Sequence, residues 1–333
     1  MHHIYDWQEI SDLYRDCLLI GNGASIAVHK QFNYQSLLEE AKKEDLVTPN
    51  CAKLFEHFAT NDFELILRFI WQAFNVNLSL EIEDRTTQKT YFEVRSALIE
   101  SVRSIHPTHE IVQPHFRTIA AFSKKFKTIF SMNYDLILYW TILWSNASDV
   151  HGHVFKDCFD AREFRNDWQE FRNPIRDQRE VSLVFYPHGN LYLSKDILEN
   201  EIKISSKGRY LLEAILAHWE SGLRTPLFVS EGDTKQKVNS IRGSNYLNTV
   251  YREALKEKKE SLAIYGWGVW ETDSHILDAL RHSYLKRIAL STSRDIQGQA
   301  YINRVTAIIR EKIPTVENIH FYDRSSSGCW NNC

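Results

Sequence analysis

The chain has 333 residues, of which 43% are hydrophobic and 25% are charged, and its net charge is −3. This composition is typical of a globular protein and excludes a disordered or collagen-like chain. The length predicts roughly two domains or one enlarged domain. Because the chain has no basic excess, we do not expect it to bind nucleic acid directly.

The cysteines and the apolar segments indicate the cellular compartment of the protein. The five cysteines are Cys17, Cys51, Cys158, Cys329 and Cys333. They form no Cys-x-x-Cys pair and their number is odd, so the pattern predicts neither a zinc ribbon nor a disulfide framework. Residues 1–12 contain no apolar signal core, and the most apolar run, residues 136–144, is shorter than the ~18 to 20 residues that cross a bilayer. We therefore expect a soluble, reduced, cytoplasmic protein that does not contact a membrane.

Short apolar runs alternate with helical patterns along most of the chain. The predicted strands are residues 17–21, 127–131, 182–186, 226–230, 261–265, 287–291 and 319–323. The predicted helices between them are residues 136–143, 209–219, 246–256, 274–283 and 300–313. Strands that are apolar throughout are typical of a parallel sheet covered on both faces. The alternation predicts an α/β fold, a doubly wound Rossmann-like parallel sheet.

One long interval, residues 34–123, shows helical periodicity and no strand pattern. Asn61 and Glu64 fit a capping box before a helix with Phe63, Leu67, Ile70 and Phe74 on its apolar face. Further helices are predicted over residues 91–102 and 112–122. The sequence thus predicts a Rossmann-like core from residues 1–33 and 124–333, with an all-helical insertion over 34–123. Residues 325–333 are expected to form a poorly ordered tail.

The first strand is followed by a glycine-containing turn made of Gly21, Asn22, Gly23, Ala24 and Ser25. Ligands bind beyond the carboxyl ends of the strands in an open α/β sheet. Two glycines let the backbone approach a ligand, and free N–H groups at the start of the next helix suit a pyrophosphate. A plain glycine turn explains the same residues, so this loop alone is weak evidence for a nucleotide site.

Polar side chains also follow the next two strands. Asn133 and Asp135 could orient a water molecule or a ribose, although such residues are often only helix caps. His188 lies between a proline and a glycine, where a free imidazole could act as a general base; a structural histidine is the alternative. His106, His109, His115, His151 and His153 complete no recognised ligand spacing, so no metal site is predicted.

In this order, the segments resemble the sirtuin-like family, in its bacterial branch of NAD-degrading defence proteins. Gly21 to Ser25 are similar to the family's phosphate loop, Asn133 and Asp135 to its Thr-x-Asn-x-Asp segment, and His188 to the histidine of its His-Gly pair. The resemblance further implies that Gly266, Gly268 and Ser291 lie near the cofactor. The chain departs from the deacetylating sirtuins because it lacks both zinc-binding cysteine pairs and the Asp-Phe-Arg segment.

The resemblance implies an NAD+ hydrolase that yields nicotinamide and ADP-ribose and depletes NAD in anti-phage defence. Catalysis is then expected from Asn133 and His188, with NAD as substrate and no zinc. Gly21, Asn22, Gly23, Ala24, Ser25, Asp135, Gly266, Gly268 and Ser291 are expected to bind the dinucleotide. A homo-oligomer and a regulatory partner are also implied, the partner being an ATPase, an Argonaute-like or a nucleotide-sensing protein. A non-catalytic sensor of NAD or ADP-ribose is the alternative, and a deacylase or ADP-ribosyltransferase is disfavoured.

Overall fold

A computed structural model describes residues 3–33, 36–148, 152–196, 198–222, 224–229 and 233–332. The strands are β1 Ile4–Tyr5, β2 Cys17–Ile20, β3 Thr128–Ser131, β4 His153–Lys156, β5 Phe159–Asp160, β6 Glu163–Phe164, β7 Glu180–Phe185, β8 Gly189–Lys195, β9 Glu201–Lys203, β10 Thr225–Phe228, β11 Ser261–Tyr265, β12 Arg287–Thr292 and β13 Asn318–Asp323. The α-helices are α1 Trp7–Ile10, α2 Asn22–Val28, α3 Leu37–Lys43, α4 Pro49–His57, α5 Phe63–Ser79, α6 Arg85–Ile105, α7 His109–Val112, α8 Phe116–Ser123, α9 Ile137–Ser148, α10 Leu211–Glu220, α11 Thr234–Arg242, α12 Asn245–Thr249, α13 Ser274–Leu280 and α14 Ile296–Lys312. Short 3₁₀ helices and one π-helical turn, Val250–Ala254, complete the described elements.

Eight parallel strands form the main sheet, in the order β1-β13-β12-β11-β2-β3-β7-β4. The predicted α/β class is therefore confirmed. All residues of β2, β3 and β11 are buried, which explains why these strands are apolar without alternation. From β2 the chain builds the sheet outward through β3 and β7, and later returns to the other side of β2 with β11. The strand order therefore reverses between β2 and β11, where open α/β sheets bind ligands.

The described part of the predicted strand at residues 226–230, residues 226–229, does not belong to the parallel sheet, so this part of the strand prediction is wrong. Its strand, β10, pairs antiparallel with β8, which also pairs antiparallel with β9. The run is apolar because Phe228 packs between Tyr134 and Trp219, at ring-centroid distances of 5.0 and 6.3 Å. An apolar run shows that a strand is buried but does not show which sheet it joins.

Between β2 and β3, the described residues 36–123 form helices α3 to α8 and no strand. The predicted cap of α5 is wrong, because Asp62 rather than Asn61 accepts hydrogen bonds from the first backbone N–H groups, at 2.9 and 3.2 Å. Glu64 instead accepts a hydrogen bond from Phe228 N (2.6 Å) and so ties α5 to β10. The division into a core and an insertion at residues 34–123 stays a prediction.

The other helix predictions in this region hold only in part. Phe63, Leu67 and Ile70 are buried, as predicted, whereas Phe74 is only half-buried. The predicted helix over 112–122 is interrupted by a 3₁₀ turn, Gln113–His115, because Pro114 cannot donate a helical hydrogen bond.

The C-terminal segment is packed rather than loose, so the expected tail is wrong for residues 325–332. Trp330 is 1% exposed, and its indole Nε1 donates a hydrogen bond to Ala24 O at 2.8 Å. Its ring lies 5.7 Å from that of Tyr265 on β11. Polar and small residues around Trp330 gave this segment a loop-like composition, although one large aromatic side chain anchors it. None of the helices in the described residues has the length and apolarity that a bilayer span requires.

Candidate functional site

A cleft of about 330 Å³ opens at the carboxyl ends of β2, β3 and β11, beside the reversal of strand order. Its volume lies at the lower end of the range for ligand pockets. Eight of the eleven predicted site residues line it, namely Gly21, Asn22, Gly23, Asn133, Asp135, His188, Gly266 and Gly268. The other three, Ala24, Ser25 and Ser291, do not line the cleft. The segments that the sequence singled out thus converge on one place.

The glycines on one wall are required by contact between two loops. Gly21 N donates a hydrogen bond to Tyr265 O (2.9 Å), and Gly23 N donates one to Gly266 O (2.7 Å). A Cβ atom at Gly266, whose φ is +67°, would lie 2.3 Å from Ala24 N, and one at Gly23 would lie 2.8 Å from Gly266 Cα. The loop after β2 and the loop after β11 therefore pack backbone against backbone, which only glycine permits here.

This packing corrects the expectation of free amides for three residues of the glycine loop. The N–H groups of Gly21, Gly23 and Ala24 all donate to backbone carbonyls, since Ala24 N bonds Gly21 O at 2.9 Å. Ser291 has a similar supporting position, because its Oγ accepts a hydrogen bond from Gly266 N at 2.9 Å. These groups hold the shape of the cleft rather than being available to a pyrophosphate.

Asn133 and Asp135 are joined through Ser25, which comes from the first helix after β2. The Asn133 amide Nδ2 donates to Gly21 O (3.0 Å) and to Ser25 Oγ (2.8 Å), and Ser25 Oγ donates to Asp135 Oδ2. Both protons of the amide are thus used, which leaves Asn133 Oδ1 as its polar atom for a ligand.

Asp135 lines the cleft and also caps a helix, so the capping role that the sequence left open is present. Its Oδ1 accepts a hydrogen bond from Ile137 N (2.9 Å), at the start of α9. Burial raises the pKa of Asp135 to about 6, although the hydrogen bond from Ser25 opposes this shift. Its carboxylate therefore takes up a proton only a little below neutral pH.

His188 lies at the rim before β8 but is not free, which corrects the expectation for its imidazole. The residue is 5% exposed, and its Nε2 lies 2.9 Å from Nε2 of His275. Burial lowers the pKa of His188 to about 3, while the nearby Asp273 carboxylate opposes this effect. At neutral pH the imidazole is uncharged and can accept a proton, but only as a weak base.

One cluster in the cleft has the donor atoms of a metal site. Ligand atoms of His188, Asp273 and His275 all lie within 4.8 Å of one another. However, Lys237 Nζ lies 2.7 Å from Asp273 Oδ1, and this ammonium group would repel a cation. The cluster therefore fits hydrogen bonding and proton exchange better than metal binding. Elsewhere, His106 accepts a hydrogen bond from Leu136 N, and His151 lies outside the described residues.

Aromatic side chains form another wall of the cleft. Phe32, Tyr134, Trp267 and Trp270 line it together with Lys237. Trp270 is 62% exposed, and the Arg304 guanidinium lies 4.4 Å from its ring centroid. Sequence reasoning missed Lys237, Trp270 and His275 as site residues. The one available signal was that Trp270 and His275 closely follow the glycines at 266 and 268, in a loop that was already singled out.

Comparison with known proteins gives a family match and a similarity to a solved structure. A model of the family described as "Domain of unknown function (DUF4917)" matches residues 18–330. No curated protein matches the chain. Among solved structures, the chain is similar to one described as "Structural Basis for the Mechanism and Regulation of Sir2 Enzymes", with 10% sequence identity and a TM-score of 0.35. This similarity covers 92% of this chain and 95% of the other.

Proposed function

The chain belongs to the DUF4917 family, whose description names no activity, and we propose from its cleft that it is an NAD+ hydrolase. One observation carries this proposal. Asn133 and Asp135 follow β3, His188 follows β7, and all three line one cleft beside the glycine loop. Their order and type also resemble the sirtuin-like pattern, in which the substrate is NAD+. The products would be nicotinamide and ADP-ribose.

The proposed chemistry needs few catalytic groups. The bond between ribose C1′ and the cationic nicotinamide breaks through an oxocarbenium-like state, so the protein mainly holds the ribose and directs one water molecule. Asn133 Oδ1 would accept a hydrogen bond from that water or from a ribose hydroxyl. His188 would act as the general base, which typically contributes ~10²–10⁴-fold to the rate.

The rest of the cleft would bind the dinucleotide. Lys237 is the one lysine or arginine among the described lining residues, and its ammonium group suits a phosphate. The packed loops of Gly21, Gly23 and Gly266 would form the floor, and Trp267 and Trp270 could contact the rings. Ser25 and Ser291 would act indirectly, through Asn133 and the loop after β11.

Purified protein mixed with NAD+ tests the proposal directly. We expect free nicotinamide and ADP-ribose, measured by chromatography, and expect H188A and N133A to reduce turnover at least ~10²-fold while remaining folded. H282Q, which changes an exposed histidine two residues after α13, is the matched control and should retain the parental rate. Parental turnover in both H188A and N133A would refute the assignment.

A binding module for NAD or ADP-ribose is the second candidate, and a specific observation favours it. The His188 pKa of about 3 makes the imidazole a weak base, and both Asn133 amide protons are used within the protein. Calorimetric binding of NAD+ or ADP-ribose without release of nicotinamide would support a sensor and exclude the hydrolase.

We further propose that the hydrolase depletes NAD+ during phage infection. A constantly active enzyme of this kind would damage its own cell, so the proposal implies control by a homo-oligomer or a partner protein. Cells that express the parent chain should lose NAD+ and restrict phage, whereas cells that express H188A should do neither. Equal phage titres on both strains would contradict the defensive role.

A further inference from the structure

His275, a residue that the sequence pattern did not single out, makes a direct contact with His188. It lies at the start of α13, is 1% exposed, and its Nε2 is 2.9 Å from Nε2 of His188. The two ring planes differ by 28°, and the ring centroids lie 5.1 Å apart although the Nε2 atoms are only 2.9 Å apart, so the rings meet nearly edge to edge. This geometry is that of a hydrogen bond between imidazoles, in which one ring donates and the other accepts.

Among the described residues, the contact with His188 is the single hydrogen bond of the His275 ring. His275 Nδ1 is buried and has no partner among the described residues. Burying an imidazole with half of its polar atoms unpaired costs stability, and an apolar ring would fill the same space without that cost. The role of His275 therefore lies in its contact with His188.

Burial and the nearby charges set the protonation of the two rings. Asp273 lies beside both histidines and pairs with Lys237, and Asp278 adds a further negative charge near His275. Burial lowers the pKa values of His188 and His275 to about 3 and about 4, so both rings are neutral at rest. Each neutral ring carries one proton, and only one proton fits between the two Nε2 atoms.

We propose that His275 is a positioning residue, whose Nε2 accepts the Nε2–H proton of His188 and leaves the His188 Nδ1 lone pair facing the cleft, while the proton of the neutral His275 ring lies on its own buried Nδ1. Because Nε2 of His188 is bonded to His275, Nδ1 is the ring nitrogen that remains for a ligand, and His188 lines the cleft. His275 thereby fixes both the orientation and the tautomer of the base. The tautomer of His188 does not depend on the proposed function. The effect of the tautomer on catalysis does rest on the proposed hydrolase function.

The catalytic consequence follows from the hydrolysis step. The water oxygen bonds to C1′ while the bond from C1′ to nicotinamide breaks, and its electron pair leaves on the nicotinamide nitrogen. The water proton passes to His188 Nδ1 and later to solvent. While His188 carries the positive charge, its Nε2–H remains bonded to His275 Nε2, and the Asp273 carboxylate offsets the charge.

Nitrogen NMR of the histidine rings in the unliganded full chain tests the tautomer without reference to activity. We expect His188 to carry its proton on Nε2 alone in the parent chain. H275Q should preserve this state, because a glutamine oxygen can accept the same proton, whereas H275F should give a mixture of tautomers. A parental His188 protonated on Nδ1, or a single unchanged tautomer in H275F, would overturn the proposal.

Kinetics then test the catalytic consequence. H275F should lower kcat about 10- to 100-fold with little change in KM, and H275Q should recover most of the loss. The control H282Q should match the parent. Loss of activity in H275Q equal to that in H275F would overturn the positioning role. Tight binding of Zn²⁺ that shifts the NMR signals of both the His188 and the His275 rings would also overturn it. If the parent chain releases no nicotinamide, the hydrolase fails, while the NMR experiment still decides the tautomer.

Discussion

Trp270 is the exposed aromatic residue of the cleft on which a base of the proposed substrate, NAD+, could stack. Arg304 fixes the loop around it by donating hydrogen bonds to Gly268 O (2.6 Å) and Val269 O (2.9 Å), besides covering the ring. Stacking of a base on an aromatic side chain contributes about 1–3 kcal/mol. We therefore expect W270A to raise KM for NAD+ about tenfold and to leave kcat nearly unchanged in steady-state assays. W270F should behave like the parent, and a fall in kcat at constant KM would contradict a stacking role.

His106 shows how a buried histidine makes stability depend on pH. Its Nε2 accepts a hydrogen bond from Leu136 N (3.0 Å), its Nδ1 bonds Pro107 O (2.9 Å), and burial lowers its pKa from 6.5 to about 4. Between these values the unfolded chain binds a proton that the folded chain does not. The contribution of His106 to stability is therefore present above pH 6.5 and is lost as the pH falls.

Urea unfolding of H106F at two pH values tests this effect. At pH 7 the variant should lose about 1–3 kcal/mol, because Leu136 N is left without its acceptor. The decrease in unfolding free energy from pH 7 to pH 5 should shrink by about 2 kcal/mol relative to the parent. H57Q, at an exposed position, is the control. An unchanged pH dependence in H106F would mean that His106 is not the titrating group.

At the scale of elements, the cleft depends on the contact between the loops after β2 and β11. G266A would introduce a Cβ atom 2.3 Å from Ala24 N at a φ of +67°. Backbone strain and overlap together should lower the free energy of unfolding by about 2–4 kcal/mol, measured by denaturant titration. The same variant should weaken NAD+ binding, because the two loops must separate.

G243A is a suitable comparison for this loop contact. A Cβ atom there would lie no closer than 3.5 Å to any neighbour, and φ is −80°. We expect this variant to remain within about 0.5 kcal/mol of the parent. If G266A were equally harmless, the two loops would not need their close approach.

At the scale of the whole molecule, the parallel sheet could be predicted because its strands are buried on both faces and are bounded by polar turns. The position of Asn133, Asp135 and His188 at the cleft could also be predicted, because each of them follows a strand or apolar run. β10 could not be placed, because its apolar character arises from packing against Tyr134 and Trp219. His275 and Lys237 were missed because helices bring them to the cleft, and helix packing is not encoded in local spacing.

At the same scale, residues 325–332 pack back against the first helix after β2. Trp330 fills a buried site against Tyr265 and Phe122, and its indole bonds the carbonyl of Ala24, next to Ser25. W330A should lower the free energy of unfolding by about 3–5 kcal/mol in denaturant titrations, as is typical for a buried tryptophan. W330F keeps a ring but loses the hydrogen bond to Ala24, so it should lie between W330A and the parent. Because Ser25 links Asn133 to Asp135, W330A should also weaken NAD+ binding under conditions where the variant is fully folded. Parental stability and affinity in W330A would show that the segment is dispensable and that the cleft is held from the sheet alone.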